Sequence, residues 1–434
     1  MAGWDSSARV PLSITEQSIY NLHHRKVLAD LIARAMCIKG DVDVALFEFA
    51  VPLVVNTYPI FRCRYHDEPA VRSFDDIELD YMDIRHMSEA DITSFLRQFS
   101  SSPMDLNSDQ LLGLSLFRTG EDEYIFLTKC HHIITDGISL SLLWAESLTA
   151  YLTMGAGKPY KPRGETTDFA DYINFEETYL ESERGQKASY YWRNKLELQR
   201  ETVWQASHQE IASIICGEET LNIEGVEFVQ IQTNANDAEV SLFAYLCAAY
   251  QQTLCEFLHY DFWMNTSLSL RLKREHRYIL GPMFRYGNLT VCRNESWSEK
   301  LARLSQEIKH AVRTAYAADS IGPHGSIGHN LNASSCFLIT FLQTEEHREG
   351  FTAVYTGETS EWVEVGEKLK IHTTPLPTRL TPYGIYLSMA AYGGQLRASF
   401  IYNVNCFSQN QVESIMDRWR LRSIHGSGDK MPPL

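Results

Sequence analysis

The alternation of β-rich and helical segments, continued over a chain too long for one hydrophobic core, constrains the fold most. A β-rich run at Tyr124–Cys130 precedes a helical pattern at Ser139–Leu152, and the same order returns at Trp263–Leu270 and Trp297–Ala317. Single cores stop growing at roughly 250–300 residues, whereas this chain has 434. We therefore predict a mixed α/β protein with two lobes.

The best candidate for a linker is Met154–Thr167, where glycines and prolines lie among polar residues. A long, charged, helical stretch follows from Asp168 to about Leu196. We predict an N-terminal lobe over residues 1–165 and a C-terminal lobe over residues 166–434.

The remaining elements are predicted from hydrophobic periodicity. The predicted helices include Leu28–Met36, Val42–Val55 and Ala238–Phe257, and the predicted strands include Ile60–Tyr65, Cys336–Leu342 and Leu396–Tyr402.

The charge balance excludes some classes of protein. The formal net charge is −16, which argues against a dedicated nucleic-acid binder, because such a protein needs a basic face. Hydrophobic residues make up 44% and charged residues 22%, the balance of a soluble globular protein. The longest stretches without a charge, Gly325–Thr344 and Thr381–Leu396, are broken by polar residues, so we expect no membrane span. Residues 1–11 lack the apolar core of a signal peptide.

The nine cysteines are scattered and odd in number, and no two of them have CxxC spacing. This pattern is typical of reduced thiols and not of a disulfide framework or a zinc site. With the missing signal peptide, it predicts a cytoplasmic protein.

The most informative segment is Lys129-Cys-His-His-Ile-Ile-Thr-Asp-Gly-Ile-Ser-Leu140, where a strand passes into a helix. Adjacent histidines on a strand point to opposite faces, so one of the two can face a given cavity. Gly137 tolerates a strained turn and a close approach. Asp136 can cap the following helix or pair with a buried arginine.

Histidine is the natural group to move a proton near neutral pH. From the residues alone, a histidine pair at a strand end is structural at least as often as it is catalytic. Metal binding is a weaker alternative, because no third ligand is spaced near His131 and His132.

The segment His131-His-Ile-Ile-Thr-Asp-Gly137 matches the HHxxxDG signature, and through it the chain resembles the condensation-domain superfamily of nonribosomal peptide synthetases. Further segments resemble the family's other motifs in the family's order, over nearly the whole chain. These segments are Pro11-Leu-Ser-Ile-Thr-Glu-Gln-Ser-Ile-Tyr20, Tyr58-Pro-Ile-Phe-Arg-Cys-Arg-Tyr65, Pro103-Met-Asp-Leu106, Asp168-Phe-Ala-Asp-Tyr172, Tyr191-Trp192 and Ile279-Leu-Gly-Pro-Met-Phe-Arg-Tyr-Gly-Asn-Leu289.

The sequence also departs from the family pattern. The usual Arg-His of the second motif is replaced by Asn56-Thr57. A late motif with His/Asn-Gln-Asp and Pro-Phe-Glu is not visible around Ile321–Asn332, and an Arg-Asp-x-Ser-Arg motif is absent before Phe337. These departures suggest an unusual acceptor, a freestanding enzyme or a divergent branch of the family.

The resemblance implies a fold and a set of partners. The expected fold is α/β, with two chloramphenicol-acetyltransferase-like lobes in a V-shaped pseudodimer and a tunnel between them. Two phosphopantetheine arms of carrier proteins would enter that tunnel and bring the substrates. No cofactor is expected on the enzyme itself, and no metal. The expected partners are acyl or peptidyl carrier proteins and an amine or alcohol acceptor, with the enzyme a monomer.

The resemblance also assigns roles to residues of the HHxxxDG segment. His132 would be the catalytic or nucleophile-positioning group, and His131, the other histidine of the motif, would be structural. Asp136 would organise the catalytic site by pairing with an arginine of the second lobe, for which Arg271 is the candidate. Gly137 would offer space or a backbone N–H near the donor thioester.

Two further residues are predicted to bind substrate, Asn288 on the acceptor side and Ser139 after the HHxxxDG segment. Residues 287 and 288 form a Gly-Asn pair, which is also common in turns, and Arg271 could equally be one of several surface cations of the 271–277 segment.

The leading predicted function is amide formation between a carrier-bound acyl group, peptidyl or polyketide, and an amine. Ester formation with an alcohol uses the same histidine chemistry and is the alternative. Epimerisation domains share HHxxxDG but usually continue with Ser-Trp, whereas Ile138-Ser-Leu140 follows here. A non-catalytic domain that recruits another protein is the remaining alternative. Because the chain starts with Met1 and lacks adenylation-like and carrier-like regions, we expect it to act on partners supplied in trans.

Overall fold

The computed structural model describes most of the chain. It covers residues 11–23, 31–65, 72–107, 110–163, 169–203, 215–260, 262–318, 336–342, 354, 362–374, 376, 381 and 383–426. The segment Ile321–Asn332, the end of the predicted linker and Asp168 lie outside the described residues.

Helices and strands alternate along these residues. The helices are α1 (Ile14–His23), α2 (Val44–Val55), α3 (Glu89–Ser101), α4 (Gly137–Gly155), α5 (Phe169–Glu181), α6 (Glu183–Val203), α7 (Gly225–Asp237), α8 (Leu242–Phe257), α9 (Trp297–Arg313) and α10 (Gln409–His425). The strands are β1 (Leu31–Gly40), β2 (Cys63–Tyr65), β3 (Arg72–Phe74), β4 (Leu79–Asp83), β5 (Leu112–Arg118), β6 (Glu123–His131), β7 (Cys216–Glu224), β8 (Trp263–Ser269), β9 (Phe284–Leu289), β10 (Cys336–Leu342), β11 (Val363–Val365), β12 (Leu369–Thr374), β13 (Ile385–Tyr392) and β14 (Gln395–Asn403).

Packing divides the chain into two compact units, and the division does not follow one cut. Unit 1 comprises residues 1–178, 270–284 and 344–378, and unit 2 comprises residues 179–269, 285–343 and 379–434. Two later segments therefore belong with the N-terminal part of the chain. The division into an N-terminal lobe over residues 1–165 and a C-terminal lobe over residues 166–434 stays a prediction.

Unit 1 is built on a six-stranded sheet with the order β11-β12-β1-β6-β5-β4. β1 pairs antiparallel with both β6 and β12, with Leu31 opposite His131 and Ala35 opposite Thr374. One buried cluster of this unit packs Leu96 of α3 against Phe117 and Leu127. The pairing fixes the end of β6, which carries the first histidine of the HHxxxDG segment.

Two local predictions are wrong. The segment Leu28–Met36 was expected to be helical, but residues 31–40 form strand β1. Its alanines, leucine and arginine favour helix, yet pairing on both edges and burial of Met36 and Ile38 at 0% exposure outweigh that preference. The predicted strand Ile60–Tyr65 begins instead as a 3₁₀ turn over Pro59–Arg62, because proline at its start fixes a helical φ.

Unit 2 is built on a second six-stranded sheet with the order β7-β14-β13-β10-β8-β9. β10 runs parallel to both β8 and β13, and β14 runs antiparallel to β13 and β7. One face of the sheet forms the main core of this unit with α7, α8, α9 and α10, where Tyr250, Ile339, Phe400 and Trp419 are fully buried or nearly so. The other face carries a smaller cluster around Trp263.

The mixed α/β class with two large sheets is therefore confirmed, and β2 and β3 add a small two-stranded sheet. The predicted strands Tyr124–Cys130, Trp263–Leu270 and Cys336–Leu342 are present with bounds that differ by a residue at most. The single helical stretch predicted from Asp168 to Leu196 is divided into α5 and α6 at Ser182. Within the residues that the structure describes, no helix has the length and apolar character needed to cross a membrane.

Candidate active site

The two histidines lie where β6 turns into α4. β6 ends at His131, a 3₁₀ turn covers His132–Ile134, and Asp136 is the N-cap of α4. Ile133 and Ile134 are 0% exposed, so the apolar side chains of the turn hold it against the interior. The backbone of this turn, and not the strand, decides where the second histidine points.

His131 is a buried, neutral residue. It is 2% exposed, its backbone N–H donates to the Leu111 carbonyl at 2.8 Å, and its Nδ1 accepts from the Ile133 N–H at 3.2 Å. Burial, with smaller contributions from His23 and His132, lowers the pKa of His131 to about 3. Because Nδ1 accepts, the ring proton is on Nε2. The residue stabilises the turn.

His132 has the opposite tautomer. Its Nδ1 lies 2.8 Å from the Thr135 carbonyl oxygen, and because a carbonyl can only accept, Nδ1 carries the proton and Nε2 keeps its lone pair. Burial lowers the pKa of His132, while the Thr135 carbonyl and Asp136 act in the opposite direction. The side chain is partly exposed, and its ring packs on Phe284 with centroids 4.6 Å apart. His132 is thus an unprotonated imidazole at neutral pH, as a general base must be.

Asp136 accepts four hydrogen bonds, two on each carboxylate oxygen. Oδ1 accepts from the Ser139 N–H at 2.7 Å and from Arg271 Nη2 at 3.1 Å. Oδ2 accepts from Arg271 Nη1 at 2.7 Å and from the Met283 N–H at 3.0 Å. The arrangement uses the full acceptor capacity of a carboxylate. The residue therefore acts both as the cap and as the ion-pair partner that the sequence suggested.

The pair of Asp136 and Arg271 is shielded from water. Their side chains are 8% and 6% exposed, and Arg271 Nη2 also donates to the Ser139 hydroxyl at 2.7 Å and to the Ile279 carbonyl at 3.1 Å. The pairing that the sequence predicted is present. Arg271 belongs to the 270–284 segment of unit 1.

The hydroxyl of Ser139 is fully used by protein groups. It donates to the Gly281 carbonyl at 2.7 Å and accepts from the Gly281 N–H at 3.0 Å and from Arg271 Nη2 at 2.7 Å. One donor and two acceptor positions are all that a hydroxyl offers. The predicted contact of Ser139 with substrate stays a prediction, and its observed contacts are those of a residue that positions the 270–284 segment.

Gly137 opens α4 beside unfilled space. Apart from its chain neighbours and the backbone of its own helix, no atom of the described residues lies within 4 Å of the place where a Cβ would be. The space predicted next to Gly137 is therefore present, and its use by a donor thioester stays a prediction.

Asn288 lies on β9 and belongs to unit 2. Its side chain is 0% exposed, and neither Oδ1 nor Nδ2 has a hydrogen-bond partner among the described residues. Its predicted place on the acceptor side stays a prediction.

Three features of the 270–284 segment contribute to the candidate site and were not predicted from the sequence. These are the Met283 N–H on Asp136, the Phe284 ring on His132, and Gly281, which has a φ of +150°. A side chain at Gly281 would lie 2.4 Å from the Phe169 ring, so glycine is required there. The Gly281-Pro282 pair was the available signal, because such pairs mark an irregular backbone.

The family model of the condensation domain matches residues 31–422, so the chain belongs to the condensation domain family. Linear gramicidin synthase subunits D and B of Brevibacillus parabrevis are 25% and 23% identical to it, over 72% and 94% of this chain. The chain spans only 6% and 8% of the length of those two proteins.

Three solved structures resemble the fold at low identity. The first condensation domain of the calcium-dependent antibiotic synthetase has a TM-score of 0.77 at 14% identity and covers 99% of this chain and 100% of its own. The X-domain from teicoplanin biosynthesis has a TM-score of 0.75 at 16% identity, with 97% and 96% covered. VibH, an NRPS condensation enzyme, has a TM-score of 0.68 at 16% identity, with 94% of each chain covered. These likenesses concern the fold.

Proposed function

We propose that the chain is an acyltransferase that joins a carrier-bound acyl thioester to an amine and forms an amide. The state of His132 carries the proposal. The Thr135 carbonyl fixes the proton on Nδ1, and burial keeps the ring neutral, so Nε2 is the basic atom. Membership of the condensation domain family supports an acyl-transfer reaction and supports carrier proteins as partners.

The proposed reaction begins when the amine nitrogen attacks the thioester carbonyl carbon. A tetrahedral intermediate forms as the C–N bond is made and the carbonyl oxygen becomes an oxyanion. His132 Nε2 takes a proton from the nitrogen, the carbonyl re-forms as the C–S bond breaks, and the imidazolium gives that proton to the leaving thiolate. Amide and free thiol are the products. General base catalysis of this kind contributes typically 10²–10⁴-fold in rate.

The other predicted residues act through position. All four acceptor positions of the Asp136 carboxylate bind protein donors, which connects α4 to the 270–284 segment. Asp136 therefore does not act as a second base. Arg271 and Ser139 belong to the same network. Phe284, the last residue of that segment, packs against the His132 ring. We propose that this network sets the direction of the imidazole.

Two other functions remain candidates. An alcohol in place of the amine gives an ester by the same steps. A non-catalytic recruiting role is favoured by one observation, the likeness in fold to the X-domain from teicoplanin biosynthesis, which has also been solved in complex with OxyB. The tautomer and the lowered pKa of His132 favour catalysis over recruitment.

The test uses benzoyl and octanoyl thioesters of pantetheine with panels of amines and alcohols, and product masses are followed. Amide products with wild type, together with a loss of 10²-fold or more in His132→Ala, support the proposal. The control is His86→Ala, which removes an exposed histidine of unit 1. Ester products would move the assignment to the alcohol acceptor. No product with any pair, or unchanged turnover in a folded His132→Ala variant, would contradict catalysis by this residue.

A further inference from the structure

The second sheet has a face that none of the steps above uses. Trp263, Leu338 and Tyr383 form a buried cluster there, and Tyr286 and Tyr386 pack against it. The register places Asn265, Leu338 and Tyr386 side by side across β8, β10 and β13. Strand alternation puts Asn288 on the same face as Tyr286. We call this set of residues, all in unit 2, the aromatic face.

The aromatic face contains buried polar groups that make no hydrogen bond. Asn288 is 0% exposed with both side-chain atoms unsatisfied, and Trp263 is 4% exposed with its Nε1–H unsatisfied, as judged over the described part of the chain. Leaving one such group unpaired is costly, and native proteins contain few of them. Two on neighbouring strands of one face leave hydrogen-bonding positions that a bound molecule can fill.

The chemistry of the face defines the class of that molecule. Asn288 offers two N–H donors and an acceptor oxygen, and Trp263 adds one N–H donor. A carboxamide, with one carbonyl and an N–H, is the complement that fits a side-chain amide in two parallel hydrogen bonds. Rings of Trp263, Tyr286 and Tyr386 suit a planar aromatic group, which packs edge-to-face or offset on such side chains.

A neutral ligand fits better than a charged one. The described side chains that β8, β10 and β13 direct to this face in the paired register include Trp263, Asn265, Leu338, Thr340, Tyr386, Ser388 and Ala390, and none of these is charged. A carboxylate or ammonium buried there would lack a counter-charge from these strands.

We propose that the aromatic face binds a neutral aromatic carboxamide. Where the proposed function holds, the acceptor or a part of it is such a carboxamide, and that identification rests on the proposed function. The binding itself does not depend on turnover.

The experiment measures binding to the full chain by isothermal titration calorimetry. The probe is benzamide. Of the two comparison ligands, benzoate lacks the neutral amide and cyclohexanecarboxamide lacks the aromatic ring. We expect benzamide to bind at least tenfold more tightly than either. Asn288→Leu should lower benzamide affinity at least tenfold, and Trp263→Phe, which keeps a ring but loses the N–H, several-fold.

Thermal unfolding separates a ligand site from a site for ordered water. If Asn288 serves ligand binding, its unpaired amide destabilises the ligand-free protein. Asn288→Leu should then raise the Tm of the ligand-free protein by about 2–4 °C. The control is Asn222→Leu, an exposed asparagine on β7 of the same sheet, which should change neither Tm nor binding. A lowered Tm in Asn288→Leu, with no benzamide binding by wild type, would mean that water alone occupies the site and would overturn the proposal.

The two proposals fail in different ways. Benzamide binding that depends on Asn288, in a protein that makes no product, keeps the ligand site and removes the acyltransferase. Product formation that is unchanged by Asn288→Leu, with equal benzamide affinity in both proteins, removes the ligand site and keeps the acyltransferase.

Discussion

Removal of the Asp136 carboxylate is the perturbation whose cost the structure defines best. In Asp136→Ala the Arg271 guanidinium, 6% exposed, loses its anion, and the N–H groups of Ser139 and Met283 lose their acceptor. Breaking a buried pair by removing one partner costs about 3–5 kcal/mol, and loss of an N-cap costs about 1 kcal/mol. Both losses come from one carboxylate and overlap, so we expect about 4 kcal/mol in the free energy of unfolding.

Such a loss is large against the total. Domains are stable by about 5–15 kcal/mol, so the variant should unfold at a much lower urea concentration. The assay is urea unfolding followed by circular dichroism, with the slope of the transition compared between variants to confirm that the same surface unfolds. The control is Glu364→Ala, which removes an exposed pair with Lys370 in the sheet of unit 1 and should leave the midpoint unchanged.

A double-mutant cycle tests the reason for the loss. Arg271→Met alone leaves the Asp136 carboxylate buried without its cation, whereas the double variant Asp136→Ala and Arg271→Met leaves no buried charge of the pair. We therefore expect the double variant to be less destabilised than the sum of the single variants by about 2 kcal/mol or more. A cost below about 1 kcal/mol for Asp136→Ala, or additive single variants, would refute a buried, mutually dependent pair.

The remaining predictions concern the histidines and two glycines. The pKa of His131 falls from its ordinary 6.5 to about 3 in the folded protein. Between pH 3 and pH 6.5, the unfolded chain therefore binds a proton at His131 that the folded protein does not bind. The corresponding stability is complete above pH 6.5 and is lost as pH falls, by about 1.4 kcal/mol per pH unit; urea titrations should show that His131→Asn removes this slope. The lowered pKa of His132 predicts that kcat/KM holds to a lower pH than an ordinary imidazole would allow, and a pH–rate profile that already falls near pH 7 would contradict it. Gly281→Ala should lower the Tm strongly because of its φ of +150° and the Phe169 ring, whereas Gly137→Ala should leave the Tm unchanged and lower turnover if the thioester uses the open space. A stable Gly281→Ala variant would show that the segment can adjust.

The sequence predicted those parts of the fold in which local pattern and tertiary contacts agree. β8 was predicted as Trp263–Leu270 and is Trp263–Ser269, because its β-branched and apolar residues are also those that the sheet buries. β1 was predicted as a helix, since its local composition favours helix while its environment is a sheet with β6 and β12 on its edges. No pattern within residues 31–40 reveals partners about 90 and 340 residues away along the chain.

The candidate site shows the same limit. The motif indicated Asp136, the family resemblance implied an arginine partner for which Arg271 was the candidate, and the two are paired. The Met283 N–H could not be predicted, because a backbone donor is common to nearly every residue and carries no sequence signal. Gly281 had a signal in its proline neighbour, but the need for glycine comes from Phe169, which lies more than a hundred residues earlier.

The roles of the two histidines depend on the direction of one hydrogen bond each. Both rings are kept neutral by burial, and both use Nδ1 to bond the backbone of the turn. His131 Nδ1 accepts from an N–H, whereas His132 Nδ1 donates to a carbonyl. The basic lone pair is therefore used inside the protein at His131 and left on Nε2 at His132. The backbone path of the five residues 131–135 thus decides which ring nitrogen carries the proton in each of two adjacent histidines. The ion pair of Asp136 with Arg271 holds the end of that path in place.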